Sequence, residues 1–191
     1  MRTLLATVAA VLLLAPAAQA KTYGATTLAL DPGAVSALTG LGVAPAPMPP
    51  ATATSSGELT FPITNRPFKA LLSGTIRHSG GISLTAGATT VKLENFWIDP
   101  LRRQLTAEVG GARVPILSLD FSKVRLGFGG GTLKLGPVAG NLTAVAASAL
   151  DSAFGLRRGP IPPGLNLGDA TPRYGLLWGR GDGPGAPAPA R

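Results

Sequence analysis

The chain has 191 residues, a formal net charge of +8, no cysteine and a single histidine. It can therefore form no disulfide, thiol nucleophile, iron–sulfur cluster or zinc–thiolate site, and nine scattered carboxylates beside one histidine give no zinc or calcium ligand pattern.

At the N-terminus, Arg2 supplies a positive region, Leu4 to Leu14 an uncharged apolar run ending at Ala15-Pro16, and Ala18-Gln19-Ala20 a small-x-small cleavage pattern. Residues 1–20 thus read as a cleavable secretory signal. The mature chain begins near Lys21, acts outside the cytoplasm, secreted or at the cell surface, and has no transmembrane segment, because no later apolar run reaches the ~20 residues a span needs. Losing Arg2 leaves 16 basic against nine acidic side chains, a charge of +7. Outside the cytoplasm that charge points to an anionic partner such as an envelope polymer or lipid headgroup, and not to nucleic acid. Arg102-Arg103 and Arg157-Arg158 are the only basic doublets, so a solvated cationic surface is the plainer reading of the excess.

Leu28 and Leu30 mark a first strand, and Asp31-Pro32 an N-cap and first helical position. Val35, Leu38 and Leu41 form the apolar stripe of a short helix that Gly40 or Gly42 ends. Residues 44–57, with Pro45, Pro47, Pro49 and Pro50, predict an extended edge or crossover segment. From Glu58 the period becomes two: Leu59, Phe61 and Ile63 form one strand, and after a turn at Asn65-Arg66-Pro67 a second runs through Leu72 to Ile76. Gly80-Gly81 predicts a turn or bulge with His78 at it. Beyond it come strands over Ile82–Ala86 and Thr90–Ile98, the latter with a phase slip and bulge near Asn95. Leu105, Ala107 and Val109, then Val114 through Phe121, continue a meander. Val124, Leu126 and Phe128 predict a half-buried strand with Lys123 and Arg125 outward. After Gly129-Gly130-Gly131 comes a strand with Leu133 and Leu135. Asn141 is the expected cap of a helix to Phe154, ended by Gly155. Residues 156–191 hold seven prolines and eight glycines, which predicts loop to about Trp178 and a disordered tail over 179–191. The fold expected is mainly β: an antiparallel β-sandwich or curved barrel-like sheet in a single domain over 21–178, with one short N-terminal helix and one C-terminal helix.

Little in this chain suits catalysis. His78 adjoins Ser79, but in a Gly-rich turn and without a nucleophile-elbow sequence, and Glu94, Asp99, Glu108 and Asp120 read as solvated strand residues rather than paired acids. No enzyme is expected. Arg180-Gly181-Asp182 spells an adhesion tripeptide that a Gly-rich tail produces by coincidence. Three readings remain open for His78: a turn histidine satisfied by hydrogen bonds, a ligand-site residue, or a catalytic base. Trp97 and Trp178 are candidate surface aromatics, with Trp97 better placed for the core or its rim.

The run Ser73-Gly74-Thr75-Ile76-Arg77-His78-Ser79-Gly80-Gly81-Ile82-Ser83-Leu84, then Ile98-Asp99, Leu105 to Val109, Leu117 to Ser122, a Gly-rich hairpin and Asn141 to Phe154, resembles the HtaA-type domain of actinobacterial exported and surface proteins. The resemblance covers roughly residues 58–172, with a divergent N-terminal part. It implies a non-enzymatic binding protein of the cell envelope. Some members bind haem for iron acquisition through a tyrosine near the domain's start, close to a histidine that looks like His78, so the resemblance makes haem a possible cofactor and His78 and Tyr174 tentative ligand-binding residues. No metal site beyond that is implied.

Overall fold

The computed structural model describes residues 21–66, 74–156 and 161–175; the expected signal over 1–20 and tail over 179–191, with Trp178 and Arg180 to Asp182, lie outside them. Among these residues thirteen strands and two helices follow in the order β1 (Gly24–Leu30), α1 (Pro32–Gly40), β2 (Ala44–Met48), β3 (Thr52–Ala53), β4 (Leu59–Ile63), β5 (Ile76–Arg77), β6 (Gly81–Ala86), β7 (Thr89–Asp99), β8 (Gln104–Val109), β9 (Ala112–Asp120), β10 (Arg125–Gly129), β11 (Thr132–Gly136), β12 (Val138–Leu142), α2 (Ala144–Phe154) and β13 (Asn166–Gly175).

Every strand pair is antiparallel, and the main path runs β2-β6-β7-β8-β9-β12-β13-β1-β4-β3. Of the two architectures expected, the barrel is the one formed. Its seam closes where β4 meets the β5–β6 segment, through the Ile63·His78 bridge and two backbone bonds, Thr64 N–H to Arg77 O (2.8 Å) and Ser79 N–H to Pro62 O (3.1 Å). Counting β5 and β6 as one run along β7, eight strands complete the ring, a number whose interior side chains can fill. That interior holds Leu59, Phe61, Ile63, Phe96, Ile98, Ala107, Leu119, Val138 and Leu142. Phe61 and Phe96 meet edge to face at 5.2 Å between centroids, a preferred aromatic geometry.

Local chemistry explains most element ends. Asp31 caps α1, its Oδ1 accepting from Ala34 N–H at 3.0 Å, with Pro32 at the first turn. Only Ala34 is fully buried in that helix, while Val35 of the expected stripe is exposed. In α2 the cap is Thr143 and not Asn141: Thr143 Oγ1 accepts from Ala146 N–H, and Asn141 and Leu142 are the end of β12. The helix-spaced residues start two positions too early because a strand face at 140 and 142 happens to continue the helical stripe. Gly155 ends α2 in the left-handed conformation.

Two bulges face each other across β7. Arg77 pairs with Trp97 and Gly81 with Glu94, four steps against three, so one residue is extra on the His78 side; Gly80 takes the required positive φ of 80°. On the other edge Glu94 pairs with Glu108 and Trp97 with Thr106, three steps against two, and Asn95 takes φ 50°. The bulge expected at Asn95 is there. At 80–81 the chain bulges and continues along β7 without turning.

Two further expectations fail. The segment after Leu156 contains β13, a strand at the centre of the sheet that pairs with β1, β11 and β12. Moreover, β10 is exposed along its whole length and not half-buried, because it pairs with β11 alone and projects from the barrel.

Candidate functional site

His78 lies inside the barrel at its seam, 4% exposed. Its Nδ1 is 3.0 Å from Phe96 O, and its Nε2 is 2.7 Å from Thr26 Oγ1 of β1, itself 3% exposed. A carbonyl oxygen only accepts, so Nδ1 carries a hydrogen. Burial with no carboxylate against the ring keeps it neutral, so Nε2 has no hydrogen and accepts from the Thr26 hydroxyl. Burial lowers its pKa to about 4, against which the Phe96 bond pulls weakly upward. Of the three readings of this residue, the hydrogen-bonded one describes its contacts, although it is a core residue and not a turn residue. Ser79 Oγ is buried without a partner among the described residues, and the nitrogen that would serve it as a base is taken by Thr26.

Where the resemblance sets a tyrosine near the domain's start close to the histidine, the side chain that meets His78 is Thr26. A threonine hydroxyl supplies no phenolate to haem iron, and both His78 nitrogens are engaged. Tyr174 is 5% exposed, packed in the core, with its hydroxyl partnerless among the described residues; burial pushes its pKa up, which disfavours the phenolate. As they stand, His78 and Tyr174 do not fit haem. Beside His78 the barrel holds an apolar cavity of about 110 Å³ that Phe61, Phe96, Leu119 and Leu142 help to line.

The outer face above this seam is different. Arg77 of β5 is directly opposite Trp97 of β7, its guanidinium carbon 4.4 Å from the indole centroid, and Arg113 of β9 reaches the same ring at 3.8 Å. Arg113 is fully engaged: it bonds Glu108 Oε1 (2.9 Å), Asn95 O (3.0 Å) and Thr106 Oγ1 (3.2 Å). Glu108 also accepts from Asn95 Nδ2 at 2.7 Å, and that bond, with Arg113, holds its carboxyl below the usual range. Glu94 is opposite Glu108 across the ladder, but a carboxyl held ionised in this way cannot serve as a general acid. Arg77 has no carboxylate partner among the described residues.

Arg77 also borders a surface cleft with Tyr23, Thr64, Asn65 and Arg66. Asn65 fixes its floor: Nδ2 donates to Thr75 O (2.7 Å) and Oδ1 accepts from Arg77 N–H (2.9 Å). Arg66 Nε donates to Tyr23 Oη at 3.5 Å, with its guanidinium 5.6 Å from the ring centroid. Three arginines and two aromatic rings, separated by up to 90 positions in the chain, thus share one face. The sequence doublets are not part of it: Arg102 is exposed on Asp99, and Arg157-Arg158 lie outside the described residues. Among the described residues no group of three or more His, Asp or Glu could hold a metal ion, and no helix is long and apolar enough to cross a membrane.

This antiparallel barrel, with one helix after β1 and another after β12, resembles the HtaA-type domain in overall fold. The solved C-terminal domain of HtaA from Corynebacterium glutamicum matches this chain with a TM-score of 0.54, covering 80% of it and 96% of that domain at 14% sequence identity. No family model and no curated protein matches the sequence.

Proposed function

We propose that this chain is an exported, non-enzymatic binding protein that uses its HtaA-like barrel to hold an anionic component of the cell envelope on the Arg77–Trp97 face. The observation that carries this reading is Arg77: an exposed guanidinium positioned against an indole, its main chain fixed by Asn65, with no carboxylate partner among the described residues. A guanidinium so placed directs its free N–H groups at a carboxylate or phosphate in paired geometry. Arg66 adds a second cation beside it, and Tyr23 and Trp97 supply flat apolar surface.

A second reading, haem capture for iron acquisition, rests on Tyr23 and not on His78 or Tyr174. Tyr23 is near the domain's start and in the cleft, where its hydroxyl accepts from Arg66 Nε at 3.5 Å.

One pair of titrations separates the two. Polyphosphate and a carboxylated polysaccharide are added to protein carrying Trp178→Phe, so that Trp97 alone reports, and haem is added to unaltered protein and followed by absorbance. The anionic reading expects a saturable change in Trp97 fluorescence that weakens at least tenfold in Arg77→Glu. No change, or one that Arg77→Glu leaves intact, would refute it. A stoichiometric Soret shift abolished by Tyr23→Phe would establish the haem reading instead.

A further inference from the structure

The hairpin β10–β11 has two unlike faces. Leu126 pairs with Leu135 and Phe128 with Leu133, so four apolar side chains share one face, of which Leu126 is 58% and Phe128 68% exposed. Arg125, Gly127 and Gly129 pair with Gly136, Lys134 and Thr132 on the other face. Lys134 is also directly opposite Arg173 of β13. Two like charges facing each other across a ladder repel, and no ion pair relieves Arg125, Lys134 or Arg173 among the described residues. The outer edge of β10 is unpaired there too.

The order of these residues along the hairpin gives the face its meaning. Phe128 comes immediately before the Gly129-Gly130-Gly131 turn, Lys134 is level with Gly127, and Arg125 is three residues, about 10 Å, behind Phe128. Exposed Lys123 follows further back. An apolar tip with a cationic collar behind it matches the cross-section of an anionic bilayer leaflet: hydrocarbon below, negative headgroups above.

We infer that the β10–β11 hairpin docks this protein on anionic phospholipid, with Phe128 at its tip entering the interface and Lys134, Arg125 and Lys123 meeting the headgroups. This docking does not depend on what the Arg77–Trp97 face binds.

Protein from Lys21 to Arg191, the form export would leave, is sedimented with vesicles of phosphatidylcholine alone or mixed with phosphatidylglycerol. Binding is expected on the mixed vesicles and at least about tenfold weaker after Phe128→Ser, the fold-change for losing most of one buried aromatic side chain. Lys134→Glu is expected to weaken it about fivefold or more, as is omission of phosphatidylglycerol. Phe128→Ser should melt with the parent protein, since Phe128 is largely exposed, and Lys134→Glu no lower than it, since the new carboxylate faces Arg173. Three results would overturn the inference: no sedimentation with either vesicle; vesicle-free protein that is a dimer until Phe128→Ser dissociates it, which assigns the face to a second copy; or a melting temperature lowered several degrees by Phe128→Ser with vesicle binding unaffected, which assigns it to the chain's own packing.

Discussion

A buried imidazole is cheap only while it is neutral, and His78 pays for its place in the barrel through pH. In the folded chain its pKa is about 4, against 6.5 for the free side chain, so between those values the unfolded chain takes up a proton that the folded chain refuses. Stability is full above about 6.5, rises with pH through the window, and is lost as pH falls towards 4. The accumulated loss is about 3 kcal/mol by the ~1.4 kcal/mol that each pKa unit represents. Urea titrations at successive pH values should show this slope, and His78→Gln, which keeps a donor and an acceptor but cannot ionise, should flatten it even if it is less stable throughout. An unchanged slope in that variant would place the titrating group elsewhere. The place of His78 beside the Gly80-Gly81 pair was readable in advance, though as a turn residue and not as a buried one. Its partners were not: Thr26 is 52 positions away, and only the seam brings the two together.

At the scale of elements, β13 shows why a strand can be present and unreadable. It contains Gly168 and Pro172, both strand breakers in sequence, yet each has a local reason to be there. On one side of β13 the neighbour changes: Val138 of β12 pairs with Ala170 and Lys134 of β11 with Arg173, so 171 and 172 face the Gly136-Pro137 gap between two strands. Proline's missing N–H therefore costs no bond on that side. Gly168 has φ 134°, and an added Cβ would collide with Ala29 O of β1. Gly168→Ala should accordingly destabilise the protein by at least about 2 kcal/mol in urea unfolding, where a glycine that merely filled a loop would lose almost nothing or gain. The strands that were legible, from Leu59 to Ile63 and from Thr90 to Ile98 with the bulge at Asn95, are those whose apolar residues alternate and whose phase slips once. In β10 alternation misled, because periodicity records which side chains share a face and says nothing of whether another layer covers it.

For the whole molecule, the positive charge was visible from composition and its distribution was not. Arg66, Arg77 and Arg113 are isolated in sequence, and their gathering depends on the register of β5 against β7 and on closure of the barrel between β4 and β5. Arg125, Lys134 and Arg173 are gathered separately, by the hairpin and β13. The basic surface thus resolves into a ligand face with aromatics and a membrane-facing hairpin, and the interior histidine belongs to neither. Amide and arginine Nε shifts in NMR spectra of the isotope-labelled protein, followed as polyphosphate is added, test this division directly. The account predicts perturbations confined to residues around Tyr23, Thr64 to Arg66, Arg77, Trp97 and Arg113, with the His78 and Thr26 signals unmoved. Perturbations centred on His78, Thr26 and the barrel interior, with the Arg77 Nε resonance unchanged, would contradict it.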